Sequence, residues 1–329
     1  MRIAVAIPCY KVKKHILDVI TRIGDDVDTI YVVDDCCPEQ SGSYVSQNST
    51  DSRVKVIYHA QNQGVGGAIV TAYKQALDDD IDIVVKIDGD GQMDPELLPH
   101  FVAPILRGEA DYTKGSRFFA LESLTSMPFV RKCGNAVLSF INKVSSGYWQ
   151  VMDPTNGYTA IHCQALQLMP LDKLSKRYFF ESDMLFRLGT LRAVVQDIPM
   201  DAVYDDEESN LSIKKVLVDF PPLYIKAFFK RVFYTYFLRD FNGASMKLVL
   251  GLLLMLIGSV WGGAHWIGSI VSGDEATTGT VMLAVLPLIM GFQLLLSAID
   301  YDMTHAPKRP LQRWFSCTRR KIVHTEKKR

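Results

Sequence analysis

Ile81-Asp82-Ile83-Val84-Val85-Lys86-Ile87-Asp88-Gly89-Asp90-Gly91-Gln92 lies a quarter of the way along a 329-residue chain. Residues 81–87 read as a continuous apolar run of strand length, as expected in the buried middle of a parallel sheet. The run stops at an acidic, glycine-rich end. Similar units lie on either side. Residues 2–7 form a β-branched run that stops at Pro8, and Ile16, Val19, Ile20 and Ile23 follow at helical spacing. Residues 29–33 predict a second strand ending in Asp34-Asp35. Residues 53–58 predict a third, followed by Asn62-Gln63-Gly64-Val65-Gly66-Gly67-Ala68 and a helix with Ile69, Ala72, Tyr73 and Ala76 on one face. Residues 110–113 predict a fifth strand that leads into Gly115-Ser116-Arg117. Strand and helix alternate, so the fold class is α/β, a Rossmann-like open sheet that binds ligands at the carboxyl ends of its strands.

Gly64-x-Gly66-Gly67-Ala68 lacks the third glycine of a dinucleotide fingerprint and follows the third strand rather than the first, which argues against NAD. Asp88 and Asp90 are two apart in an extended segment and face the same way. Paired carboxylates there hold a hard divalent cation, with diphosphate oxygens and water completing its shell. Such a cation would neutralise a departing diphosphate. The plainer reading is a solvated acidic loop. The six cysteines and seven histidines are scattered without metal-ligand spacing, so zinc is not expected and the thiols should be reduced.

Near the C-terminus, residues 248–271 and 280–299 contain no Asp, Glu, Lys or Arg. Each is long enough to cross a hydrocarbon core of about 30 Å as a helix. The alternative is a pair of long core helices in a soluble protein. The equal totals of 36 basic and 36 acidic residues hide an asymmetry: residues 1–211 hold 20 Lys+Arg against 29 Asp+Glu, and residues 212–329 hold 16 against 7. Basic residues flank the hairpin on both sides, and its loop carries only Asp274 and Glu275. Both ends of the hairpin, and both termini, are therefore expected in the cytoplasm. Residues 1–10 do not read as a signal peptide. Between domain and hairpin, Ile225, Phe228, Phe229, Val232, Phe233, Tyr236 and Phe237 fall on one helical stripe that Pro222 is expected to start. Ile213, Val216, Leu217 and Phe220 make a shorter stripe upstream. These predict helices lying in the membrane interface, the alternative being a helix packed on the soluble domain. The expected organisation is a catalytic domain over 1–211, juxtamembrane amphipathic helices over 212–241, two transmembrane helices within 242–305 and a basic cytoplasmic tail over 306–329, solvated over 317–329.

Pro8-Cys9-Tyr10, Asp34-Asp35, Asn62-x-Gly64-x-Gly66, Asp88-x-Asp90-x-Gln92 with Pro95-Glu96, and Gly115-Ser116-Arg117 occur in that order. Asp153-Pro154-Thr155-Asn156-Gly157, Phe180-Glu181-Ser182-Asp183 and Glu208-Ser209-Asn210 follow. Together these resemble the inverting family 2 glycosyltransferases of GT-A fold, and within them the polyprenyl-phosphate sugar transferases of the dolichyl-phosphate mannose synthase type. The resemblance implies that Pro8, Tyr10, Asp34, Asp35, Asn62 and Gly64 frame the donor. It implies that Asp88, Asp90 and Gln92 lie at a Mg²⁺ or Mn²⁺ ion and the diphosphate, and that Arg117, Arg131 and Asn135 meet phosphate. The alternative for Arg131 and Lys132 is a solvated helix face. The chain departs from the pattern at Lys11-Val12, at Cys36-Cys37-Pro38 and in the acidic stretch 201–208, which leaves the base and some acceptor contacts open.

The implied partners are a UDP- or GDP-linked sugar, a polyprenyl phosphate and a membrane, the bacterial inner membrane foremost, with no nucleic acid. A lipid phosphate has a second pKa of about 6 and needs no strong base, so Asp183 would orient it. A hydroxyl of a lipid-linked glycan, the alternative acceptor, would need Asp183 or neighbouring Glu181 as base. Both carboxylates also read as caps of a helix over 180–188. A processive synthase is disfavoured, because the Gln-x-x-Arg-Trp motif of such synthases is missing: Gln312-Arg313-Trp314 has the wrong spacing and lies beyond the last span. A non-catalytic scaffold is disfavoured by the intact Asp88, Asp90 and Gln92. Gly251, Gly258, Gly262 and Gly263 suit close helix packing, within one hairpin or in a homo-oligomer.

Overall fold

A computed structural model describes residues 1–119, 129–201 and 213–315. Its described residues divide into two compact units, residues 1–228 with the segment from Pro307 onward, and residues 229–306. The first unit is built on a seven-stranded sheet: β1 (Ile3–Cys9), β2 (Thr29–Asp34), β3 (Val54–Tyr58), β4 (Ile83–Lys86), β5 (Tyr112–Ser116), β6 (Thr159–His162) and β7 (Val195–Pro199), in the order β3-β2-β1-β4-β6-β5-β7. Helices α1 (Ile16–Thr21), α2 (Ser41–Asn48), α3 (Val65–Asp78), α4 (Leu98–Leu106), α5 (Phe129–Ser146), α6 (Cys163–Leu168) and α7 (Phe180–Leu191) connect them.

All five expected strands are present. The sheet is mixed rather than parallel, because β6 runs antiparallel to both β4 and β5. That reversal leaves β5 pointing the same way as β1, β2, β3 and β4, so the five acidic or glycine-rich strand ends share one edge. The loop entering β6, residues 153–157, reaches the same edge from the opposite direction. Alternation along β1 divides the core: Ala4 and Ala6 pack with Ile69, Ala72, Tyr73 and Ala76 of α3 on one face, while Ile3, Val5 and Ile7 pack with Ile16, Val19 and Ile20 of α1 on the other.

The juxtamembrane segment is a single helix, α8 (Ile213–Phe233), not two, and Pro221 and Pro222 lie inside it. Proline already has a helical φ; what it removes is a backbone amide, so this pair weakens the helix without stopping it. Tyr224 of this helix is buried against Phe179 and Phe220, and its hydroxyl shares hydrogen bonds with Ser182 and Asn142. Of the expected apolar stripe, Ile225, Phe229 and Phe233 are exposed.

In the second unit, a π-helical stretch (Tyr234–Arg239) precedes α9 (Gly243–Ser272) and α10 (Thr278–Thr304). Both helices are long and apolar enough to cross a membrane. Only 22% and 17% of their most apolar windows are buried, which separates them from core helices of a soluble protein. Their small residues serve the hairpin itself, since a Cβ on Gly258 would lie 2.7 Å from the Ala284 carbonyl oxygen and one on Gly291 2.8 Å from that of Gly251. At the base of the hairpin Arg231 pairs with Asp302 at 2.7 Å.

Of the expected basic tail, residues 317–329 lie outside the described residues, and the part before them packs inward. Helix α11 (Leu311–Phe315) belongs to the first unit. The backbone amides of Leu311 and Gln312 donate to the buried Asp111 carboxylate at 2.9 and 3.2 Å. The Gln312 amide donates to the carbonyls of Ile105 and Ala110. Buried polar groups at the start of β5 need these donors, which is why a basic segment turns inward here.

Candidate active site

Each strand of the shared edge delivers its motif by a local device. At the end of β2, Asp34 accepts from the amides of Cys37 and Gly42, at 2.8 and 2.7 Å. Asp35 accepts from the amides of Gln63 and Gly64, at 2.8 and 2.7 Å, and meets His59 Nδ1 at 2.8 Å. The Asn62 amide donates to the Asp35 carbonyl. Both aspartates are buried, and their oxygens shape the two loops after β2 and β3. Gly64 is required there: its φ is +86°, and a Cβ would lie 2.6 Å from the Lys176 carbonyl. Pro8 lies within β1, and Tyr10 just beyond it is exposed.

The centre of the edge is a charge cluster. Lys86, the last residue of β4, is 1% exposed. Its ammonium donates to Asp88 Oδ1 at 2.7 Å and to the Gly157 carbonyl at 3.1 Å, and Glu181 Oε1 lies 3.5 Å away. Burial alone would pull this lysine down, but the Asp88 and Glu181 carboxylates outweigh it and hold the pKa above the usual lysine value. Lys114 of β5 pairs across β6 with the same Thr159 that faces Lys86. Its ammonium donates to the Asn156 carbonyl, and burial lowers its pKa to about 8. Two buried lysines thus grip the carbonyls of the 153–157 loop. A Cβ on Gly157 would lie 2.6 Å from both Lys86 Nζ and Asp88 Oδ2. After Asp88 the chain turns at Gly91 (φ +81°), and the Gln92 amide donates to Asp90 Oδ1 at 3.0 Å.

Arg117 follows β5 and is clamped by the buried Asp153, through Nε to Oδ2 at 2.7 Å and Nη2 to Oδ1 at 3.1 Å. Burial raises the Asp153 carboxyl, but Arg117 more than offsets this and holds it below the usual range. Asp183 does not join the cluster. Its Oδ2 accepts from the Ser175 amide at 2.8 Å and from Arg187 Nε at 3.1 Å, so it pins the loop before α7 rather than capping the helix, whose N-cap is Phe179 with no side-chain cap bond. The carboxylate beside Asp88 is instead Glu181. Arg131 and Asn135 lie on α5, but their side chains, like residues 201–208 after the first, fall outside the described residues.

Lys86 and Lys114 are the residues that sequence reading missed. The signal was present: the two-residue rule that joined Asp88 to Asp90 also joins Lys86 to Asp88, and a lysine inside an apolar strand needs a buried partner.

The donor set suits a hard divalent cation. Among the described residues no group of three His, Cys, Asp or Glu side chains gathers around one point. Mg²⁺ takes one or two protein carboxylates and completes its shell with substrate phosphates and water, so Asp88 and Asp90 suffice when a diphosphate is bound.

Residues 4–169, half of the chain, match the model of glycosyl transferase family 2. The chain belongs to this family. Among similar curated proteins, the UDP-N-acetylglucosamine–dolichyl-phosphate N-acetylglucosaminyltransferase of Methanococcus voltae is 29% identical, over 61% of this chain and 85% of its own length. The undecaprenyl-phosphate mannosyltransferase of Micrococcus luteus is also 29% identical, over 62% and 84%. Among solved structures, the glucosyl-3-phosphoglycerate synthase of Mycobacterium tuberculosis in complex with Mn²⁺, UDP-glucose and phosphoglyceric acid superposes with a TM-score of 0.52. That match covers 70% of this chain and 79% of the other at 19% identity, and it establishes a shared GT-A fold for this family 2 transferase.

Proposed function

We propose that this family 2 transferase moves a sugar from a nucleoside-diphosphate sugar to a polyprenyl phosphate at the cytoplasmic face of a membrane. The observation that carries this reading is the presence, in one chain, of the Asp88–Asp90 strand-edge cluster and two C-terminal helices long and apolar enough to cross a bilayer. Relatives named for dolichyl-phosphate and undecaprenyl-phosphate transfer support it.

The loops braced by Asp34 and Asp35 form the wall for base and ribose, with Tyr10 at its rim. Asp88 and Asp90 would hold Mg²⁺ or Mn²⁺, which supplies charge neutralisation for the departing diphosphate. Lys86 fixes Asp88, and Asp153 fixes the Arg117 fork toward phosphate oxygens. The acceptor phosphate is already an anion at neutral pH and attacks the anomeric carbon with inversion. Catalysis is therefore positioning and electrostatics. Arg131 and Asn135 on α5 are assigned to the acceptor phosphate.

Glu181 favours one second reading. A carboxylate beside the cluster supplies a base, which a hydroxyl acceptor on a lipid-linked glycan would need. The test offers radiolabelled UDP- and GDP-sugars with undecaprenyl phosphate as sole acceptor, Mg²⁺ or Mn²⁺, and Asp90→Asn as control. A chloroform-soluble product that requires metal and Asp90 is expected. Donor hydrolysis without lipid product would move the assignment to the hydroxyl acceptor, and Glu181→Gln would then abolish transfer.

A further inference from the structure

We propose that Lys86 is a positioning residue that makes capture of the divalent cation depend on the donor's diphosphate. The proposal rests on the reading of Asp88 and Asp90 as the metal pair and deepens it.

Lys86 is 1% exposed on a central strand, held between neighbours on both sides, with Ala6 of β1 and Thr159 of β6 as its register partners. Its ammonium therefore has little freedom, and it sits 2.7 Å from Asp88 Oδ1. One oxygen of the proposed ligand is already paired with a full positive charge. The second partner of the ammonium, the Gly157 carbonyl, keeps it from withdrawing, and the missing Gly157 side chain leaves the space that Lys86 Nζ and Asp88 Oδ2 fill. Glu181, the third partner, lies 3.5 Å away and shares the same single positive charge with Asp88.

A divalent ion approaching this edge without a donor meets Asp88 and Asp90, with Glu181 beyond the ammonium, and a fixed unit positive charge a few ångströms away that cancels part of their attraction. No third His, Cys, Asp or Glu completes a site among the described residues. Like charges this close in a partly dry site repel, and the repulsion is far less screened than in water. Bound diphosphate adds negative charge and oxygen ligands, and the balance reverses. Lys86 also holds Asp88 in one orientation through its Oδ1. The arrangement makes metal and donor bind as a coupled pair, and each raises the affinity of the other by the same factor.

The test measures Mn²⁺ binding to the full-length detergent-solubilised protein by the electron paramagnetic resonance signal of free Mn²⁺, alone and with UDP or GDP. Wild type, Lys86→Met, Lys86→Gln and Asp88→Asn are compared, and melting curves establish that each is folded. Gln keeps a donor for the Gly157 carbonyl, so it stands in where Met does not fold. Removing the charge is expected to tighten Mn²⁺ binding without nucleotide about tenfold or more, to shrink the nucleotide-induced gain by the same factor, and to lower kcat for transfer. Nucleotide-free affinity that is unchanged or weaker in a folded Lys86 variant overturns the proposal and leaves Lys86 a structural anchor. If Asp88→Asn binds Mn²⁺ like wild type with and without nucleotide, the metal pair itself is wrongly assigned. The two failures are thus distinct.

Discussion

Asp153 has no solvent-exposed surface, and both its oxygens face Arg117. Removing one partner of a buried pair strands the other's charge, so Arg117→Ala should cost about 3–5 kcal/mol of stability, visible as a lower urea midpoint. Because the Asp153 pKa is held below its unfolded value, the pair contributes at neutral pH. Its contribution is present above the unfolded carboxylate value of about 4 and lost as pH falls through the folded one. Asp197 has the opposite sign. Burial, helped by the Asp153 charge, lifts it to about 6 against the pull of the Met152 amide and Lys114. Between about pH 4 and 6 the folded chain keeps a proton that the unfolded chain releases, so this group destabilises as pH rises. Asp197→Asn should therefore gain on wild type between those values, by about 1–2 kcal/mol after allowance for solvent, and hold the gain above pH 6. Thermal melts at pH 4.5 and 7.5 check this; a constant difference would remove Asp197 as the cause.

Among elements, the most consequential is the short helix α11, which returns after the hairpin to the start of β5. Gln312→Ala removes the side-chain donor of the Ala110 carbonyl and one of two donors to the Ile105 carbonyl, which keeps the Gly108 amide, a loss of about 1–3 kcal/mol that a melting curve of the full chain would register. A substitution with no effect on melting would mean that α11 does not dock. Sequence reading placed this segment in a basic tail and assigned it no contact, because its charge (Lys308, Arg309, Arg313) masked two inward-facing residues, Leu311 and Gln312. Strands β1, β2 and β4 were legible as β-branched runs closed by Pro8, Asp34 and Asp88, β3 as a short β-branched run before the Asn62–Gly67 turn, and β5 by the Gly115-Ser116-Arg117 that ends it. Strands β6 and β7 were not: Thr159–His162 is four residues, and β7 carries Gln196 and Asp197. The antiparallel insertion of β6 follows from pairing with both β4 and β5, which no local pattern records. The site was legible where charge stood at strand ends, as at Asp88 and Asp90, and hidden where charge lay inside an apolar run, as at Lys86. Asp183 was favoured over Glu181 because sequence spacing does not say which face of α7 turns toward Asp88.

At the scale of the whole molecule, the chain leaves its first compact unit after Phe228 and re-enters it at Pro307. Both ends of the α9–α10 hairpin therefore lead into one folded body. If the hairpin crosses a bilayer, connectivity alone puts its two ends on one side, and the charge pattern says which: basic residues cluster outside the spans, while the loop carries Asp274 and Glu275. Retaining that body on the cytoplasmic side also suits its thiols, since Cys9, Cys36, Cys37 and Cys163 are all unpaired by disulfides. Topology can be read with two cysteines in a chain whose other cysteines are replaced. Cys36 is native and exposed in the first unit, and Asp274→Cys introduces one into the exposed loop. In intact cells a membrane-impermeant maleimide should label the Asp274→Cys thiol and reach Cys36 only after permeabilisation. Labelling of both sites in intact cells would place the catalytic unit outside, where no nucleotide sugar would reach it, and would overturn the cytoplasmic assignment. Protection of both would mean that the hairpin dips into the bilayer without crossing. The donor cluster would then keep its cytoplasmic side, and the two helices would act as an anchor rather than as spans.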